Sequence, residues 1–240
     1  GNKAGIAGGA IYQDVDTRFF ISNSALISEN ESVDGGAVYI AGGTANVAGG
    51  TIFENSASSC GGALYVSGEV TMTVGSIAQN SATSNGGAIY VTDGTFIMSG
   101  GSIGMNTATN GAAAYVTGNG ASMSITGAEL RTNTATNDGG AVYVSGGSLT
   151  LNNATLENNT ATSNGGAAYV SGGSITMTGG SMSSNKAVNG GGAYVSGTDS
   201  IQGNFMMNSG IAEKNTATNG GAVYVTGGNF NMISGSMLNN

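Results

Sequence analysis

Residues 148–170 read SLTLNNATLENNTATSNGGAAYV. Leu149 and Leu151 alternate with Ser148, Thr150 and Asn152, a period of two that puts the leucines on one face of a strand. Leu156 stands three residues before Asn159, and the small Ala161 follows two residues after it. The stretch closes on Gly165-Gly166-Ala167-Ala168-Tyr169-Val170, which alternates again. Glycine, serine, asparagine and threonine separate these pieces, and no apolar residues recur at helical spacing.

The same line is written throughout the chain. All nine tyrosines share one slot, from Tyr12 to Tyr224 in eight steps, a mean period of about 26.5 residues that signals a solenoid. The second anchor pairs an apolar residue with an Asn three positions later: Ile27/Asn30, Ile52/Asn55, Ile77/Asn80, Ile103/Asn106, Leu130/Asn133, Leu156/Asn159, Met182/Asn185 and Met237/Asn240, with Ala212/Asn215 the weak member. Ten and eight residues before each Asn stand alternating apolar pairs such as Val70 and Met72, Phe96 and Met98, and Phe205 and Met207. Each repeat therefore reads as three short extended segments joined by turns too short for a crossover helix. Each strand then pairs in parallel with its copy one repeat later, which is a β-helix. Nine coils at the ~4.8 Å interstrand spacing make a rod roughly 43 Å long.

Composition agrees. The chain has 240 residues with 45 glycines and no proline, tryptophan or histidine, which is not the usage of an average globular domain. It is 39% hydrophobic, and those residues recur at fixed places, unlike a disordered linker. Residues 1–240 read as one repeat domain, either a segment of a longer solenoid or a unit that stacks into a fibre. Asn2 and Asn240 both occupy the ladder slot without an obvious polar cap, and uncapped strand edges of that kind fit either alternative.

Several functions are disfavoured at this level. Five basic residues face 13 acidic ones, a net charge of -8, so there is no basic surface for nucleic acid. No run of about 18 apolar residues suggests a membrane span, and the first residues do not read as an export signal. The lone Cys60 has no partner for a disulfide and no His for a zinc site. It stands where other repeats have Asn or Ser, and reads as a turn substitution ahead of a reactive thiol.

Each slot has an expected role. The inward asparagines Asn30, Asn55, Asn80, Asn106, Asn133, Asn159, Asn185, Asn215 and Asn240 form a ladder that satisfies buried amides between coils. Alanines two residues on, from Ala57 to Ala217, fill a tight corner, and the glycine pairs supply positive φ or close backbone approach, with Ala112 the one exception. In the strand Ala37-Val38-Tyr39-Ile40 one alternating set must face out. Burying the tyrosines exposes two aliphatic rows and requires a partner for every hydroxyl, so the outward set is expected to be Tyr39, Tyr65, Tyr90, Tyr115, Tyr143, Tyr169, Tyr194 and Tyr224. That strip is a candidate contact for sugar rings or for another rod, and a packing ladder is the plainer reading.

The motifs GGAVYV, GGAIYV and GGALYV, each with an apolar-x-x-Asn partner, resemble the GGA(I/L/V) and FxxN repeats of chlamydial polymorphic outer-membrane proteins, and similar repeats of bacterial surface and autotransporter passenger proteins. Aliphatic residues or Met stand here where that family has Phe. The resemblance implies a right-handed parallel β-helix displayed on a surface, often adhesive, without catalytic residues; right-handed crossover is also the general rule for parallel strands.

Other candidates are weaker. Asp14, Asp16 and Arg18 are the densest charge cluster, suited to a cation or a sugar, but a solvated first coil explains them as well. No GGxGxD series points to calcium, and neither cofactor nor metal is expected. The NTAT rows, Thr107/Thr109, Thr134/Thr136, Thr160/Thr162 and Thr216/Thr218, resemble those of ice-binding solenoids, although solvated threonines are the plainer reading. Insertions after the Tyr strands emerge along one edge and make Asp14, Asn119 and Asp199 candidate loop contacts. The sequence thus favours a non-enzymatic extracellular or cell-surface rod whose partners are itself, end to end or laterally, or a surface ligand. The alternative is a solenoid that recognises carbohydrate or ice through its tyrosine or threonine ladder.

Overall fold

A computed structural model describes residues 1–198 and 200–240. The described residues are all-β: parallel strands stack coil on coil into a β-solenoid of about nine turns with three faces. The tyrosine segments, such as Val38–Ile40, Ile89–Thr92 and Val142–Val144, form a nine-stranded sheet. Its register is in step throughout, with each tyrosine opposite the next.

The second face is broader than the sequence suggests. The apolar-x-apolar segment and the apolar-x-x-Asn segment belong to one 13-stranded sheet. In some coils they run as one strand, Thr44–Phe53 or Gly173–Ser183, and in others as two, Ser148–Asn152 and Thr155–Glu157. The face bends at mid-coil glycines, and Gly100 and Gly101 there have φ of 154° and 88°. The third face is narrow, with strands of two to five residues starting just after the ladder asparagine, as at Ser56–Ala57 and Thr134–Asp138.

The core lies between these faces. Val142 and Val144 from the tyrosine sheet meet Leu149, Leu151 and Leu156 from the broad one, all buried. An isolated coil would leave these side chains against solvent on both sides, so their burial exists only through the coils above and below. The corner alanines Ala57, Ala82, Ala108, Ala135, Ala161 and Ala187 form a separate small cluster, joined by Ala112. Ala217, in the last coil, is only partly buried. Ala37 departs from the alternation: the strand begins at Val38, so Ala37 lies in the corner and is as buried as Val38 and Ile40, while Tyr39 alone faces outward.

The asparagine ladder is continuous from Asn2 to Asn240. Each side-chain carbonyl accepts two bonds from the preceding coil. Asn106 donates its backbone N–H at 3.1 Å and its Nδ2 at 3.0 Å to Asn133 Oδ1, and Asn133 does the same to Asn159 at 3.0 Å and 3.0 Å. The second Nδ2 hydrogen goes to a backbone carbonyl, Ile103 O for Asn133. In the interior of the ladder these amides are satisfied in a place water cannot reach, since Asn106, Asn133, Asn159 and Asn185 are 0% exposed.

One residue before each ladder asparagine the chain turns left-handed. Glu29, Glu54, Gln79, Met105, Thr132, Asn158, Ser184, Lys214 and Asn239 have φ between 53° and 59°. Such a conformation costs roughly 1–2 kcal/mol for a non-glycine residue. It holds because the amide two bonds away fixes the corner: Asn55 Nδ2 donates to Phe53 O and Asn80 Nδ2 to Ala78 O.

Candidate functional site

Tyrosines sit outward because the residues on either side, mostly Val, Ile, Leu or Ala, point in, and the in-register sheet places each ring over the next. All eight successive pairs are in contact, with centroids 4.4–5.5 Å apart and planes within 3–31° of parallel. Tyr12, with one neighbour, is 55% exposed, whereas Tyr39 through Tyr224 are half-buried. The stack therefore covers much of each inner ring's face and offers solvent mainly edges and hydroxyls. A ligand lying along the strip would therefore meet ring edges and hydroxyls, with an open ring face only at the ends of the stack.

The hydroxyls lean toward the following coil. Tyr143 Oη lies 3.2 Å from Ser171 Oγ, and Ser196 Oγ donates to Tyr169 Oη at 3.1 Å. Burial disfavours the phenolate, pushing Tyr90 up to about 12, and Tyr65 and Tyr143 further. Tyr39, Tyr115 and Tyr194 rise for the same first reason. These six tyrosines are neutral phenols at any physiological pH.

A second amide ladder borders the stack, at the position just before each glycine pair. Asn110 Nδ2 donates to Asn85 Oδ1 at 3.0 Å, Asn164 Nδ2 to Asp138 Oδ1 at 2.8 Å, Asn189 to Asn164 at 2.9 Å and Asn219 to Asn189 at 2.8 Å. Its donors point toward the N-terminal coil, opposite to the inner ladder. Cys60 occupies one rung, where its N–H bonds Asp34 Oδ1 at 3.0 Å and Asn85 Nδ2 approaches its sulfur at 3.9 Å. Burial raises the Asp138 carboxyl, partly offset by the bonds from Asn164. The sequence shows the signal, Asn or Asp before every glycine pair that leads into a tyrosine strand from Asp34 on except at Cys60, but a turn residue there is unremarkable by itself.

The glycine pair does both things expected of it, one per residue. The first takes positive φ, 66° at Gly139 and 66° at Gly165. The second is extended over the next coil, where a Cβ on Gly140 would land on the carbonyl oxygen of Gly166.

The NTAT threonines line the narrow face. Thr107 and Thr134 are exposed, but two of the second threonines spend their hydroxyls on the previous coil: Thr109 Oγ1 donates to Thr83 O at 2.7 Å and Thr162 Oγ1 to Thr136 O at 2.5 Å. Lys186 continues the row between Thr160 and Thr216 and interrupts it chemically.

The charge cluster does not converge. Asp14 Oδ1 accepts the N–H of Val15 at 2.8 Å, Thr17 Oγ1 donates to Asp14 O at 2.6 Å, and Asp16 has φ of 57°, so this is a local turn. Arg18 opens a broad-face strand. Asn119 is exposed four coils further along, roughly 19 Å away at ~4.8 Å per coil. Asp199 lies outside the described residues. Among the described residues no cluster of three metal-ligating side chains occurs, and no helix is long and apolar enough to cross a membrane.

Residues 75–92 and 153–171 match the model of the Chlamydia polymorphic membrane protein repeat. The chain resembles that repeat. Both matched stretches run from the apolar-x-x-Asn corner through the glycine pair to the tyrosine strand, so they contain both amide ladders, the corner alanine and the stacked ring. No curated protein and no solved structure matches the chain.

Proposed function

We propose that the chain is a non-enzymatic structural rod associated with a cell surface or outer membrane, serving as a stalk, passenger or fibre subunit that holds contact groups at fixed intervals. The resemblance to polymorphic membrane protein repeats supports the location. The observation that carries the structural role is the unbroken inner ladder from Asn2 to Asn240, in which buried polar groups serve coil stacking. Against an acid and base pair at Asp14 and Asp16 stands the use of Asp14 in its own turn. Adhesive contacts with itself or a surface ligand belong to this reading, through the faces or through the loop edge that carries Asn119.

Negative-stain electron microscopy across a concentration series is the test. Straight rods of about the nine-coil length, separate or joined into fibres, are expected; compact or irregular particles would overturn the reading.

A second reading, recognition of a repetitive hydrogen-bonding surface such as ice or crystalline polysaccharide, is favoured by one patch of the broad face. Ser122, Ser124, Thr126, Ser148, Thr150, Asn152, Ser174, Thr176 and Thr178 are aligned strand to strand. Their side chains point outward, uncharged and bonded to no described residue. Ice-recrystallisation inhibition and cosedimentation with insoluble polysaccharide, each with wild type and Thr150→Lys, would decide it: loss of an effect in the variant supports the patch, and no effect of wild type in either assay rejects it.

A further inference from the structure

We propose that the tyrosine stack is a site of oxidative cross-linking, where a peroxide-driven one-electron oxidant such as a haem peroxidase joins tyrosines of adjacent coils into dityrosine. The proposal stands on ring geometry. Covalent coupling of two phenols needs two radicals within contact distance and long enough together to react. In a flexible chain that encounter is rare, and here it is built in, because eight successive ring pairs are in contact along the rod.

The steps balance. Each of two phenols gives up one electron to the peroxidase and its hydroxyl proton to water. The unpaired electron is shared onto the ring carbons ortho to oxygen, and two such carbons form one C–C bond. The two ring hydrogens then leave as protons while both phenols are restored. One hydrogen peroxide accepts the two electrons and two protons and becomes two waters. Burial that keeps these groups protonated means that electron and proton leave together.

The stack also separates where oxidation enters from where it ends. Tyr12 is the most open ring, at 55% exposure, and the outward edges of the others are reachable along the rod. A radical formed at any of them exchanges with its neighbour over ring contacts of 4.4–5.5 Å. Two radicals on one chain therefore meet at the closest pairs. These are Tyr143–Tyr169 at 4.4 Å and Tyr39–Tyr65 at 4.5 Å; Tyr90–Tyr115 at 5.5 Å is the least favourable. The Ser171 and Ser196 contacts hold the first pair in place.

The test treats the dilute full chain, with Cys60 alkylated, with horseradish peroxidase and limiting hydrogen peroxide, followed by cleavage at glutamate. Glu157 separates Tyr143 from Tyr169, and Glu54 separates Tyr39 from Tyr65, so each link appears as a joined pair of fragments in mass spectrometry. Expected is dityrosine fluorescence on the monomer band, with these two links dominant and a yield at least about tenfold above that of the chain in urea, the gain that proximity supplies. Tyr169→Phe keeps the stacked ring and should abolish the Tyr143 link while leaving Tyr39–Tyr65 intact. No dityrosine, links only between molecules, or a link pattern equal to that of the unfolded chain would each overturn the proposal.

Discussion

Replacing Asn133 with alanine is the sharpest probe of what holds the coils together. Asn133 is 0% exposed. Its side chain accepts from Asn106 N–H and Nδ2 and donates to Asn159 Oδ1 and Ile103 O. The substitution leaves the Asn106 backbone N–H without this acceptor, and leaves Asn106 Nδ2 with only its bond to Ile77 O at 3.2 Å. Each buried donor so orphaned costs about 1–3 kcal/mol. With two donors and some relaxation, the expected loss is about 3–5 kcal/mol, and for a chain of this size that lowers the melting temperature by roughly 6–20 °C. Urea and thermal unfolding followed by circular dichroism measure it. Asn119→Ala, at an exposed position without positive φ, is the control and should change stability by about 0.5 kcal/mol or less. A loss at Asn133 below about 1 kcal/mol, or equal to the control, would refute the view that the ladder is a stabilising device.

Glycine substitutions should rank by what the new Cβ meets. Gly140→Ala drives a methyl into the carbonyl of Gly166, while Gly127→Ala, with φ of 61° and open space around it, should cost only about 1–2 kcal/mol; equal losses in a melting experiment would contradict the packing account. At the ladder corner, Thr132 holds φ of 58° with a β-branched side chain, so Thr132→Gly should raise stability by about 1 kcal/mol, and a lower urea midpoint would count against corner strain. Tyr65, Tyr90 and Tyr143 have folded values above their ordinary one of 10.0, so the stability they contribute is fully present below about pH 10 and is lost as pH rises through about 12. Phenolate absorbance from Tyr65, Tyr90 and Tyr143 in an alkaline titration should appear late and together with loss of β-structure; their titration near the free value would reject the burial. Asp138 has a raised value through burial, so its contribution grows as pH falls from neutral toward its ordinary 3.8. Asp138→Asn, which restores the amide found on the other rungs, should remove that slope without loss of stability at neutral pH, as melting temperatures across the acid range will report.

The parts of this fold legible in the sequence are those where one residue type has one plausible role. A buried-looking Asn recurring three residues after an aliphatic, as at Leu156/Asn159, has little to do but bond its copies. The period-two pairs such as Leu149/Leu151 fix which face points in. Less legible were features set by corners. Alternation alone puts Ala37 on the same side as Tyr39, yet the chain turns between them and Ala37 is buried. The bend that makes two segments one broad face lies at glycines whose φ the sequence does not announce. The outer ladder was hidden because Asn before Gly-Gly is what any turn would use. The threonine rows looked like a free hydroxyl array, but whether a hydroxyl is free depends on the backbone carbonyl of the coil before, and Thr109 and Thr162 have theirs taken.

The direction of the inter-coil hydrogen bonds has a mechanical consequence. The strands run around the rod, so the bonds between them point along its length, and a load applied to the two ends pulls on them lengthwise. The whole sheet does not share such a load, because only the outermost coil can separate from its neighbour at any moment. A coil of this chain has 26 residues between Asn133 and Asn159. Once peeled, it becomes a tether of roughly 85–94 Å at the ~3.3–3.6 Å that an extended residue spans, in place of the ~4.8 Å it occupied in the stack. A rod under tension would therefore lengthen in repeated increments of similar size, each dissipating work while the remaining coils stay folded.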